Sequence, residues 1–251
     1  MLEDPIFRLQ VSNVYTESLV LSGRTEVLPK LFGAGKPFGE LRLSGDVGLR
    51  LSNLALEQGR HQLAAIASAS LSEIPAGVDA DQWRLHVARV AILAGNYDQG
   101  AAALHEWLRA SPGLTPDRTD QALQPVFDLQ TAGRHDLALD LLLAIRAKTD
   151  SPRRRREIAY WIAESYRATR QHIRAAEYFL YSALLQHNGL DQWGEAARLQ
   201  AAESLQAANL AADARVLFEG ILARTEEANR RVQLQQKLQE LLLLEARLGA
   251  D

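Results

Sequence analysis

Four consecutive arginines, Arg153 to Arg156, are the residues of this chain best suited to chemistry. A guanidinium stays charged at neutral pH and offers a planar fork of N–H donors that matches a carboxylate or a phosphate. The run follows Ser151-Pro152, a capping side chain and a first-position proline, so it falls in the opening turn of a helix. Backbone amides make that end positive, and four cations there are unfavourable by roughly a few tenths of a kcal/mol each unless an anion compensates. From residue 151 to 175, seven arginines (153 to 156, 167, 170 and 174) face two acids, Glu157 and Glu164, a net +5 in a chain of net −3. Tyr160, Trp161, Tyr166, Tyr178, Phe179 and Tyr181, six of the 16 aromatic residues, sit in the same region. Arginine and aromatic side chains dominate binding hot spots, so this stretch is a candidate site for an acidic partner, with Arg153, Arg154, Arg155, Arg156, Arg170 and Arg174 as its basic patch. The overall negative charge argues against a nucleic-acid-binding domain, and anion or nucleic-acid binding through the arginine run is the alternative.

Catalytic chemistry finds little footing. There is no cysteine, which removes thiol catalysis, thiolate zinc sites and disulfides together. Gly33-Ala34-Gly35-Lys36 resembles a phosphate loop, but that pattern needs glycine where Lys30 stands and Ser or Thr where Pro37 stands. The six histidines, at 61, 86, 105, 135, 172 and 187, contain no pair at the i, i+4 spacing that places two imidazoles on one helical face for a metal. No Gly-x-Ser-x-Gly elbow is present, and no acid pair stands apart from the solvated ones. The expectation is a protein that is not an enzyme, with no catalytic residues, metal or cofactor.

The elements that carry these residues are set by a repeated turn. Gly23, Gly59, Gly95 and Gly133 continue in register as Arg170 and Asn209, with gaps of 36, 36, 38, 37 and 39 residues. Each turn lies between two apolar-periodic stretches of one helix length, and self-similarity at this period marks stacked helix hairpins. Five residues beyond each turn stand Leu28, Ala64, Gly100, Ala138, Ala175 and Ala214, mostly small; four further on stand Phe32, Ser68, Leu104, Leu142, Phe179 and Phe218, mostly large. Small then large, one helical turn apart on one face, is a packing rule for close helix contact. Three histidines, His61, His135 and His172, recur two residues after a turn, which assigns them to the hairpin.

Helices are predicted near 5–22, 25–32, 46–58, 61–73, 80–94, 97–110, 117–132, 135–147, 152–169, 172–186, 191–208, 211–223 and 226–248. Asp4-Pro5 and Thr115-Pro116 cap like Ser151-Pro152, and Thr225 with Glu226 and Glu227 is read as opening the last helix. Phe7, Leu9 and Val11 also alternate as a strand would, while Asp4-Pro5 and the in-register Gly23 favour a helix pair; residues 33–44 are read as a longer loop. Pro125 falls inside a predicted helix, where it should kink or delay it. In the last helix, Leu234, Leu238, Leu241 and Leu248 form a face that either caps the preceding hairpin or, by its heptad-like spacing, makes a homodimer seam. No run of 18 apolar residues occurs, so no span is expected. The start, Met1-Leu2-Glu3-Asp4-Pro5, lacks a basic and an apolar leader segment, which leaves bacterial cytoplasm, or periplasm with a leader already removed, both open. Only four of the 28 basic residues are lysine, a bias of GC-rich bacterial genomes.

From Asp81 to Pro112 the chain resembles the tetratricopeptide-repeat family: Ala88, Gly95, Tyr97, Gly100, Leu104 and Pro112 fall where that family's pattern wants them. The resemblance extends over residues 45–223, with His61, His135 and His172 in place of the turn tyrosine and units longer than the usual 34. It implies an all-α right-handed superhelix (solenoid) of about six helix-turn-helix repeats: a degenerate pair and loop at 1–44, five repeats at 45–223 and a capping helix at 224–251, in one continuous domain. It also implies a concave groove lined by first helices, here with Leu49, Asn53, Leu85, Arg89, Asp120, Phe127, Tyr160, Glu164 and Arg167 as the candidate contacts. The Lys/Asn/Arg set that some members use to clamp a chaperone's terminal carboxylate is absent from these positions. The implied function is a scaffold that binds a protein or peptide segment in the groove. An auxiliary domain of a cell-envelope assembly, in polysaccharide export or peptidoglycan processing, is the alternative.

Overall fold

The computed structural model of the chain describes residues 4–32, 35, 40–71, 74–185 and 192–248, and among them are thirteen α-helices and one 3-10 turn. The chain forms two compact units, Met1–Ala110 and Ser111–Asp251. In the first, α1 (Pro5–Leu21), the 3-10 turn Thr25–Val27, α2 (Leu28–Leu31), α3 (Gly45–Glu57), α4 (His61–Ala69), α5 (Ala80–Leu93) and α6 (Tyr97–Ala110) follow one another. The second holds α7 (Pro116–Thr131), α8 (His135–Lys148), α9 (Pro152–Ala168), α10 (His172–Leu184), α11 (Gln192–Ala207), α12 (Ala211–Leu222) and α13 (Ala228–Leu248). In the first unit α1 packs on α3 and α2 on α4, and α3 to α6 pack each on the next; in the second each helix from α7 to α13 packs on the next, and α7 also touches α9.

The six turns share one construction. The turn residue has φ of 68°, 66°, 85° and 75° at Gly23, Gly59, Gly95 and Gly133, and of 60° at both Arg170 and Asn209. In each, the turn N–H donates to the carbonyl three residues back and the following N–H reaches five back, as Gly59 to Leu56 and Arg60 to Ala55. This is a Schellman closure, which satisfies two orphan carbonyls and reverses the chain at once. Beyond each turn the small and large positions are all buried, and Ala64, Ala138, Ala175, Ala214, Leu104, Leu142, Phe179 and Phe218 are fully so. Where the large position is Ser68, a buried polar chain replaces bulk: its hydroxyl lies 3.0 Å from that of Ser52, which lies 3.0 Å from His86 Nε2.

Hairpin bases close in the same way twice. Leu43, ahead of α3, donates its N–H to Ser70 beyond α4 at 2.8 Å, and Leu114, ahead of α7, donates to Lys148 at the end of α8 at 2.9 Å. Successive first helices are tied across about one repeat by an acid on the earlier helix and a base on the later: Glu17 to Arg50 at 2.5 Å, Asp120 to Arg154, Glu195 to Arg230 at 3.6 Å and Glu203 to Lys237 at 2.5 Å.

Several expectations change. Residues 7–11 are helical within α1, with Asp4 accepting from the Ile6 N–H, so the strand reading is excluded. The helix expected to run to 73 ends at Ala69, because the Ser70 hydroxyl turns back on Ile66 and Leu71 pairs with Leu43. Pro125 does not delay the helix start: α7 begins at Pro116 and runs through it to Thr131, and the carbonyl to which its ring has no N–H to donate belongs to Gln121, an exposed residue. Thr225 does not open the last helix, which starts at Ala228; its hydroxyl donates to Ile221 at 2.9 Å. Leu234 and Leu241 are buried with Leu238 against α11 and α12, so this face of α13 is spent inside its unit, and the Leu248 side chain lies outside the described residues. The phosphate-loop-like residues 33, 34 and 36 and His187 also lie outside them.

Candidate partner-binding surface

The arginine run is not one exposed patch. Ser151 caps α9 through the Arg154 N–H, and each arginine then meets a different environment. Arg154 donates to Glu157 at 2.7 Å and to Asp120 on α7. These carboxylates supply the anion that four cations at a helix start require, and the Glu157 bond foremost holds the Arg154 guanidinium above its ordinary pKa. Arg155 donates to the Thr149 carbonyl at 2.5 Å and pairs with Asp150 at 3.3 Å. Arg156 is 5% exposed; its Nε donates to the Ser182 carbonyl at 3.0 Å and its own carbonyl accepts from the Ser182 hydroxyl at 3.0 Å, locking α9 to α10. Of the four, Arg153 is exposed, Arg155 is about two-fifths exposed, and the other two are turned toward protein partners. Arg170 holds the turn, and Arg174 lies over the Tyr166 ring at 5.6 Å.

The groove candidates of the second unit gather on one surface. Tyr160 meets Trp161, Phe179 and Trp193 edge-on, with ring centroids 5.7, 5.1 and 5.4 Å apart, and Phe127 packs on Trp161 at 5.0 Å. Phe127, Tyr160 and Trp193 come from α7, α9 and α11. They stand 33 residues apart while the turns stand 37 and 39 apart, so the row runs obliquely across the helices. Gln130 fixes the adjoining helix by donating to the Trp161 carbonyl at 3.1 Å and to Ser165 Oγ at 2.7 Å. Glu164 and Arg167 pair at 2.5 Å, and with Gln130, His135 and Trp161 they line a cleft of about 290 Å³. Burial, and secondarily the Glu164 carboxylate, pushes the Tyr160 phenol above its ordinary pKa, so it stays a neutral hydrogen-bonding group. The arrangement offers ring edges beside a self-paired charge couple, a surface for contact.

In the first unit Leu49 is half-buried, Leu85 is buried, and Asn53 and Arg89 are exposed. His86 lies between them, stacked on Trp83 at 5.1 Å, and burial foremost, then the Arg89 charge, lowers its pKa. Sequence reasoning passed over Trp193, which is 49% exposed and completes the aromatic row, although its 33-residue spacing from Tyr160 was a readable signal. It also passed over Arg146, whose neighbours come from another helix.

Among the described residues no group of three potential ligands could hold a metal, and no helix is long and apolar enough to cross a membrane. No protein-family model matches the chain, and none of the curated proteins compared with it does so either.

Proposed function

We propose that the chain is a non-catalytic interaction scaffold of the tetratricopeptide-like kind, its paired helices winding as a superhelix and a partner's peptide segment lying along the first-helix side. The observation that carries this reading is the aromatic row Phe127, Tyr160, Trp161 and Trp193, assembled from three successive first helices with Trp193 half open to solvent. Rings held by neighbouring rings lose little entropy on binding and bury large area, the property that makes them binding anchors. The flanking charges are already paired, Glu164 with Arg167 and Glu203 with Lys237, so the surface selects for apolar and aromatic side chains of the partner.

The test is selection of a displayed random-peptide library on the full chain, followed by affinity measurement for the recovered peptides. Tyr160→Ala and Trp193→Ala should each weaken them by about tenfold or more, the loss typical of an anchor ring. Recovered peptides that bind both variants as tightly as the parent chain refute the groove.

A further inference from the structure

A second surface of the second unit has the opposite character. On α8, Arg146 carries its guanidinium over the Tyr181 ring, 4.6 Å from the centroid, and over the Tyr178 ring at 5.6 Å. Tyr178 continues to Tyr166 at 5.5 Å, and Arg174 covers that ring. The result is a ladder of arginines and tyrosines, in the order Tyr181, Arg146, Tyr178, Tyr166 and Arg174, along α8, α9 and α10. Beside it, Leu143, Arg146, Ala147, Arg155 and Tyr181 enclose a cleft of about 240 Å³.

The charges of this cleft are unbalanced. Among the described residues no carboxylate pairs with Arg146, and its stacking on tyrosine rings leaves the N–H edges of the fork unused. Arg155 reaches only Asp150, whose side chain is fully exposed to water, besides a backbone carbonyl. An exposed pair of this kind is worth little and exchanges readily for a better-held anion. Two guanidiniums, one oriented by rings and one by a carbonyl, thus border a cavity of side-chain size. Planar N–H edges match a carboxylate in two-point geometry, and stacking fixes one fork before binding.

We propose that this cleft is a docking site for an acidic peptide segment of a protein partner, one carboxylate entering between Arg146 and Arg155. The occupant is peptide and not nucleic acid for two reasons on the surface itself. Arg146 already takes a face of both Tyr178 and Tyr181, so the rings are not free platforms for bases. A chain of net charge −3 also lacks the broad positive field that a polyphosphate needs. The site shares no residue with the aromatic row, so either can fail alone.

The experiment titrates fluorescein-labelled hexaglutamate, hexaglutamine and hexathymidylate into the full chain at low salt. Hexaglutamate should bind saturably and hexaglutamine should not. Arg146→Gln and Arg155→Gln should each weaken hexaglutamate at least fivefold. Arg146→Lys, which keeps the charge but loses the stacked fork, should lose most of that affinity with an unchanged melting curve. Arg84→Gln, in the first unit, is the control and should bind as the parent does. Hexathymidylate bound more tightly than hexaglutamate, hexaglutamate bound equally by Arg146→Gln, or no saturable hexaglutamate binding overturns the proposal.

Discussion

Replacing Arg170 by glycine should make the protein more stable, although arginine is the better residue in almost any helix. Arg170 occupies the turn between α9 and α10 with φ of 60°, the conformation that glycine supplies at the equivalent Gly133. An L-residue there costs roughly 1–2 kcal/mol from the clash of Cβ with the following carbonyl. Glycine carries a larger unfolded-state entropy, which returns about 0.4–1 kcal/mol of that gain. The Arg170 side chain is exposed and holds no described partner, so nothing else is lost. Arg170→Gly should therefore add about 0.5–1 kcal/mol. The mirror experiment is Gly133→Ala, where a Cβ would meet nothing within 4 Å and only backbone strain remains, so it should remove a similar amount. Both positions lie in the second unit and report on the same core.

Urea titration followed by circular dichroism measures both, each as a shift of midpoint at constant slope; thermal midpoints should move by about 2–4 °C per kcal/mol. A Cβ at position 133 meets nothing and the Arg170 side chain holds no described partner, so the two changes share no contact and the double variant should come out near the parent chain. A destabilised Arg170→Gly, or a neutral Gly133→Ala, refutes the claim that one left-handed closure sets the repeat.

Gly100 is a different glycine, because a Cβ there would lie 2.5 Å from Ile92 Cγ1 and 2.7 Å from the Ala88 carbonyl; Gly100→Ala should cost about 1–3 kcal/mol in thermal unfolding, and a neutral result would show that α5 and α6 have room to part. Phe179, fully buried at the large position, should cost about 3–5 kcal/mol as Phe179→Ala, read from the urea midpoint. His86 has a folded-state pKa lowered from 6.5, so its protonation favours unfolding: its contribution is complete above 6.5 and is lost as pH falls from there toward the lowered value. His86→Gln should accordingly flatten the stability profile as pH falls below about 6.5 relative to the parent chain, and parallel profiles would remove His86 as the cause.

What could be read from the sequence was what depends on one hairpin. The turn at Asn209 was legible without its glycine because the spacing carried it, and φ of 60° there shows why an asparagine serves. Helix ends followed from Asp4-Pro5, Thr115-Pro116 and Ser151-Pro152, whose side chains all cap. What depends on two hairpins was not legible. Arg154 has Glu157 as a readable partner three residues on, but Asp120 also reaches it from 34 residues away, and that contact needs the offset between α7 and α9. Arg156 has the same residue type and neighbours as Arg155, but the helix turn aims it inward at Ser182. Arg146 lay outside the arginine run altogether and meets Arg155 only because α8 packs against α9.

The distribution of spent and unspent charge gives the two sides of the second unit different chemistry. On the first-helix side, Asp120, Arg154 and Glu157, then Glu164 and Arg167, then Glu203 and Lys237 neutralise one another. Such pairs, each partly exposed, contribute little to stability, which the buried small and large positions supply. The two pairs that cross between helices, Asp120 with Arg154 and Glu203 with Lys237, both put the acid on the earlier helix and the base on the later, which biases how successive first helices align. Around the aromatic row the named charges are already paired, so a partner arriving there gains chiefly by covering rings. On the side of α8 and α10 the order is reversed: Arg146 and Arg174 use rings to hold guanidiniums, and the gain comes from an incoming carboxylate. One repeat thus presents two surfaces of different selectivity, because the same residue types are paired with acids on one side and with tyrosines on the other.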